Sequence, residues 1–124
     1  MWRKRTPKDS ASSFSSIFFD WNNEFKGVFA KGGFDIVIGN PPYGRYGVLS
    51  DEQKDYLKSK KYWGKTADIS ESFIRLVLDG LVKKEGFFSF IIPKGLSYVK
   101  SWGDTRKLLL EKCVVIKLID ASKA

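Results

Sequence analysis

Asn40, Pro41, Pro42 and Tyr43 stand together directly after the run Phe34-Asp35-Ile36-Val37-Ile38-Gly39. Their types and order suit a slot for a planar amine. The Asn40 side-chain oxygen is a strong acceptor for an N–H donor. The two prolines fix φ near −65° and remove two backbone donors, which leaves rigidly held carbonyls. Pro41 also forces Asn40 into an extended conformation. Tyr43 offers a flat face for an aromatic ring. An exocyclic amine on a purine is a weak nucleophile, because its lone pair is delocalised into the ring. Two acceptors, the Asn40 side-chain oxygen and the Pro41 backbone oxygen, would draw its hydrogens out of plane and aim the lone pair at an electrophile. Placement and preorganised dipoles would then supply the rate, without a covalent intermediate. The plainer reading of Asn-Pro-Pro is a turn after a strand. The apolar strand before it and the aromatic after it favour the slot.

Other chemistries find less support. The chain has one cysteine, Cys113, and no histidine. An internal disulfide is impossible, a zinc site lacks soft ligands, and histidine general-base chemistry is excluded. Asp9 with Glu24-Phe25-Lys26 superficially matches a metal-dependent nuclease pattern, but such sites need carboxylates on adjacent strands and Asp9 lies in a Ser-rich lead. No metal site is expected. Lys54, Lys58, Lys60, Lys61 and Lys65 alternate with Tyr56, Tyr62 and Trp63, a mix of cations and stacking rings that suits nucleic acid. Lys60, Lys61 and Lys65 are the contact candidates, with a solvated helix face as the plainer reading of each. Lys94 and Tyr98 read as a polar loop and Cys113 as a small core residue.

The elements that must position these groups follow from periodicity. Residues 1–13 read as a mobile basic, Ser-rich lead. Residues 14–30 suggest a short strand plus a helical turn. Phe34 to Ile38 reads as a fully buried central strand. Ser50 with Gln53 forms a capping box for a helix from Asp51 to about Ser59. Asp68 with Glu71 forms a second cap pattern, before a helix with apolar residues at Ile69, Phe73, Leu76, Val77, Gly80 and Leu81. Lys83 to Gly86 should end it. Phe87 to Ile92 reads as a second strand, Thr105 to Lys112 as a third helix and Val114 to Ile119 as a third strand. Strands alternating with helices predict an α/β fold with a parallel sheet, in which ligands bind beyond the carboxyl ends of the strands.

With 43% hydrophobic residues, ten Phe and four Trp, a packed core is attainable in this 124-residue chain. The net charge of +8, from 22 Lys and Arg against 14 Asp and Glu, favours a polyanionic partner such as nucleic acid. No apolar run reaches the roughly 20 residues of a membrane span, and the basic N-terminus lacks an apolar signal core, so a cytoplasmic location is expected.

Phe34 to Tyr43 resembles the catalytic motif of amino-methyltransferases that use S-adenosylmethionine. Its Asn-Pro-Pro-Tyr form resembles the adenine-specific DNA enzymes. Asp68 to Phe73 followed by Gly86 to Pro93 resembles the helix, strand and proline after that loop, and about Phe18 to Asp120 resembles the modification part of type IIG restriction–modification proteins. The resemblance implies part of a Rossmann-like methyltransferase sheet, with about three parallel-type strands and flanking helices. It implies that Asn40 and Pro41 hold the target amine of double-stranded DNA, that Pro42 shapes the loop and that Tyr43 stacks on a flipped adenine. It implies that Asn40 and Phe73 border the S-adenosylmethionine pocket. The family's glycine-rich cofactor loop has no counterpart upstream of Phe34. Residues 14–124 are therefore expected to form the catalytic-motif half, without the cofactor half and the target recognition domain, inactive alone. The missing segments would come from the same parent chain or another subunit, and an open sheet edge predicts self-association or a partner. A glutamine- or RNA-directed methyltransferase with the same loop, or a non-catalytic DNA-binding or assembly piece, are the alternatives.

Overall fold

The computed structural model describes residues 19–121. Two short helices, α1 (Trp21–Glu24) and α2 (Lys26–Phe29), precede strand β1 (Phe34–Gly39). Helices α3 (Asp51–Ser59) and α4 (Ile69–Leu76) follow, and a wide turn over Val77–Leu81 leads into β2 (Val82–Phe90). Then come α5 (Gly95–Tyr98) and α6 (Gly103–Lys112).

The local signals act as their chemistry dictates. Ser50 Oγ accepts from Gln53 N–H at 3.3 Å while Gln53 Oε1 accepts from Ser50 N–H at 2.9 Å, so the capping box forms and α3 spans the expected residues. Asp68 caps α4 by accepting from Ser70 N–H at 2.9 Å. Glu71 does not complete that cap; it turns into the interior. Asp20 caps α1 through the backbone N–H groups of Asn22 and Asn23. A helix pair thus occupies the described part of residues 14–30, for which a short strand plus a helical turn was expected; residues 14–18 lie outside the described residues.

β1 and β2 pair in parallel, with Ile36 opposite Phe87 and Gly39 opposite Phe90. The register shifts between Phe34 and Ile36, so Lys83 to Gly86 forms an irregular stretch inside β2 instead of a helix end. Glu85 takes a positive φ of 66° there, and Lys83 pairs with Asp35 across the sheet. The resulting fold is α/β with a two-stranded parallel sheet.

Three expectations need correction. β1 is not a fully buried strand: Ile36 is 61% and Ile38 80% exposed. A central strand is covered on both faces and paired along both edges, whereas β1 has one partner among the described residues. Val114 to Ile119 forms no third strand, because it has no ladder partner there, and its apolar side chains are exposed. Cys113, expected as a small core residue, sits half-buried at the end of α6.

The core lies on α4 instead of the sheet. Ser70, Ile74, Val77 and Leu81 are buried, together with Glu71, Tyr46, Trp102 and Thr105. This buried stripe is rotated about one residue from the expected one, which leaves Phe73 partly exposed. The chain then breaks at Gly80, whose φ is 106°. No helix among the described residues is long and apolar enough to cross a membrane.

Candidate functional site

The segment after β1 is fastened at both ends. On one side the ladder runs past the strand, with Ile91 N–H donating to Gly39 C=O at 3.1 Å. Gly39 lets the two chains approach closely here, since a Cβ there would lie 3.0 Å from the Phe90 ring and would have to push it aside. On the other side Ile69 N–H donates to Gly44 C=O at 2.9 Å, and Tyr46 N–H donates to Ala67 C=O at 3.0 Å. Arg45 and Asp68 form an antiparallel bridge between those bonds. The loop is thus strung between the end of β2 and the start of α4, at the carboxyl end of the sheet.

Within it, Pro41 is buried while Asn40, Pro42 and Tyr43 are exposed. The Tyr43 hydroxyl donates to Asn40 Oδ1 at 2.7 Å and lies 3.2 Å from the Ile91 carbonyl. Tyr43 is 51% exposed, which leaves its ring accessible from solvent. An N–H donor approaching the rim would meet an amide oxygen already held in place by a neighbouring hydroxyl.

A buried polar cluster lies on α4, the helix whose start fastens the loop. Glu71 has no exposed surface. It accepts from Thr66 N–H at 3.1 Å, Thr66 Oγ1 at 2.5 Å, Thr105 Oγ1 at 2.5 Å and Arg75 Nη2 at 2.8 Å. Burial pushes its pKa upward, but the hydrogen bonds from Thr105, Thr66 and Arg75 outweigh that and hold it below the ordinary value. Gly64 packs on the carboxylate so closely that a Cβ would lie 1.9 Å from Glu71 Cδ. The segment so clamped carries Trp63, which stacks on Tyr46 at 3.9 Å between centroids. The Tyr46 hydroxyl in turn meets Ser72 Oγ at 2.9 Å and accepts from Gly64 N–H at 3.2 Å. Beside this network the Tyr62 hydroxyl donates to Asp79 at 2.7 Å, and burial together with that carboxylate raises its pKa strongly.

Residues 2–124 match the profile of the Eco57I restriction-modification methylase family. The chain belongs to that family. It is 36% identical over 101 residues to a Methanocaldococcus jannaschii protein described as a type II restriction enzyme and methyltransferase, a match covering 82% of this chain and 8% of that protein. It is 30% identical over 101 residues to the type II methyltransferases M.HincII and M.HindII of Haemophilus influenzae, covering 79% of this chain and 20% of each. The chain thus spans a small part of the length of these relatives. No solved structure matches it.

In this restriction-modification methylase chain the other sequence candidates fall in different places. Phe73 lines an aromatic cavity of about 240 Å³ with Phe19, Trp21, Tyr56 and Tyr62. Asn40 does not line it, so the two residues expected at one cofactor pocket are not brought together there. Lys60 and Lys61 are exposed between α3 and Tyr62. Lys65 is paired with Asp104 at 2.8 Å, which raises its pKa. Lys94 pairs with Asp120 at 2.6 Å. Asp9 lies outside the described residues, Glu24 and Lys26 sit on two short helices instead of adjacent strands, and no cluster of metal-binding side chains occurs among the described residues. An open groove of about 700 Å³ lies at the opposite end of β1, between Lys26, Lys31, Lys83 and Asp35, and does not reach the Asn40 loop.

The sequence reading missed the Glu71 cluster. Its signal was a glutamate between two serines, three positions before Ile74 on the buried face of α4. A carboxylate is tolerated there only with several donors.

Proposed function

We propose that this chain forms the target-amine half of a DNA adenine-N6 methyltransferase of a restriction–modification system. The observation that carries the reading is the exposed rim at the carboxyl end of β1, where Asn40 presents its amide oxygen beside the accessible ring of Tyr43. A flipped adenine would stack on Tyr43 and direct its N6 hydrogens to Asn40 Oδ1 and the Pro41 carbonyl. Asn40 Oδ1 has a second lone pair for that N–H while the Tyr43 hydroxyl keeps the first. Alternatively the hydroxyl shifts wholly to the Ile91 carbonyl, which already lies 3.2 Å away. Drawing the hydrogens out of the ring plane restores nucleophilicity to the nitrogen. The fastenings at Gly39 and Gly44 keep the acceptors fixed, so little reorganisation is needed during reaction.

S-adenosylmethionine, when bound, supplies an electrophilic methyl group. The aromatic cavity beside Phe73 suits one ring system of that cofactor. At about 240 Å³ it is smaller than a pocket enclosing a whole drug-sized ligand, roughly 300 Å³ and above. The rest of the cofactor would be held by segments beyond residues 14–124, in a complete Rossmann-like sheet that also pairs the free edge of β1. Exposed Lys60 and Lys61, and the net charge of +8, favour duplex DNA over a peptide substrate.

The test is methyl transfer to duplex DNA by the chain joined to its cofactor-binding half. Asn40→Ala should lower the rate about 1000-fold, in the range for removal of one preorganised polar group. Full activity in Asn40→Ala would remove the basis of the reading.

A further inference from the structure

We propose that Arg45 grips the DNA phosphate flanking the nucleotide presented to Tyr43; the proposal rests on the adenine reading above. The first support is placement. Arg45 is two residues beyond Tyr43, within about 7 Å along the backbone. Its own backbone is fixed by the Gly44–Ile69 and Tyr46–Ala67 hydrogen bonds on either side and by the bridge to Asp68. A nucleotide whose base lies on Tyr43 carries its phosphate within reach of a side chain rooted there.

The second support is the guanidinium's lack of an internal role. Three arginines occur among the described residues. Arg75 is committed to Glu71, and Arg106 donates to the carbonyls of Leu96 and Val99. Arg45 is exposed and makes no side-chain hydrogen bond or ion pair among the described residues. Across the bridge, Asp68 Oδ1 accepts from both the N–H and the hydroxyl of Ser70, and neither carboxylate oxygen pairs with Arg45. An exposed arginine rooted on a fixed backbone, with no side-chain partner among the described residues, is an available donor for an external oxyanion. Its planar fork matches two phosphate oxygens at once.

The third support is access. A Cβ at Gly44 or at Gly47 would meet nothing within 4 Å. Both sides of Arg45 are therefore open enough for a sugar-phosphate backbone to lie against the protein. This contact would position the nucleotide without reading its sequence.

The experiment uses the full chain and a fluorescent duplex carrying one bulged, already extrahelical adenosine, with binding followed by anisotropy across a salt series. Arg45→Gln should weaken binding about tenfold and lower the slope of log affinity against log salt by about one. Arg45→Lys should recover the slope while keeping part of the affinity loss, since it restores charge without the fork. Replacing the phosphate next to the bulged adenosine by a neutral methylphosphonate should weaken the unaltered chain and leave Arg45→Gln indifferent. If Arg45→Gln binds as well as the unaltered chain, or stays fully sensitive to the neutral linkage, the Arg45 assignment fails. If the chain also prefers bulged adenosine over bulged cytidine, that failure leaves the adenine reading standing. If it shows no such preference, both fall.

Discussion

Asn40 and Glu71 each present a side-chain carbonyl group to nearby donors, and they differ in how fully it is used. Glu71 is completely buried and takes four donors from Thr66, Arg75 and Thr105. Asn40 is exposed, and its amide oxygen takes one donor, the Tyr43 hydroxyl. A buried anion must be saturated because its alternative is an unpaired charge in a poor solvent. A rim acceptor can stay partly unused because water fills the gap at little cost. The buried cluster is built to hold the chain together. On the reading proposed above, the spare acceptor at the rim is for a target amine.

The contrast can be broken at the buried end first. Glu71→Ala removes the hub from Thr66 and Thr105 and leaves the Arg75 charge uncompensated. It should cost about 3 kcal/mol of stability, read as a lowered urea midpoint with an unchanged slope. A loss under about 1 kcal/mol would show that the cluster is not what fastens the loop to α4 and α6. Gly64→Ala attacks the same cluster by volume, since the new Cβ would fall 1.9 Å from the Glu71 carboxyl carbon. Overpacking of this kind should cost about 2 kcal/mol, and Glu71→Gln would not relieve it.

Acid titration sharpens the difference without mutation. The folded pKa of Glu71 lies below its ordinary value of 4.5. Its contribution is therefore complete above about that pH and is lost as pH falls through the folded pKa. Urea midpoints measured downward from neutrality should drop below pH 4.5, and the Glu71→Gln chain should lack that part of the decline. The smallest effect belongs to the rim. Tyr43→Phe removes an exposed hydrogen bond to Asn40 while keeping the stacking face, so stability should change by under about 1 kcal/mol. A larger loss would place Tyr43 with the scaffold instead of the site.

The two regions also differ in how legible they are from sequence. Asn40 to Tyr43 announces itself because its constraints are covalent: proline rings and a fixed order of residue types. The α3 capping box was equally plain, since Ser50 and Gln53 are three residues apart. The Glu71 cluster was not, although a cap pattern drew attention to the residue. A glutamate three positions after Asp68 fits a capping box as well as a buried hub, and only the arrival of Thr105 decides between them. Phe73 shows the same problem. A helix that buries Ile74 and Val77 can turn by one residue without altering its apolar spacing, and that rotation moved Phe73 toward solvent. For Val114 to Ile119 the apolar, β-branched composition of a strand is present, but a strand also needs a neighbour.

What the sequence determined alone are features closed within about four residues, the stiff Asn-Pro-Pro-Tyr loop and the α3 capping box, and, as composition, the excess of positive charge. Local steric and hydrogen-bond terms act over that range whatever the rest of the chain does. Tertiary structure decided the pairings across long loops. Tyr43 reaches the Ile91 carbonyl, Thr105 reaches Glu71, and Arg45 bridges to Asp68 through the backbone. Those outcomes depend on which segments meet in space, and no spacing rule along the chain encodes that.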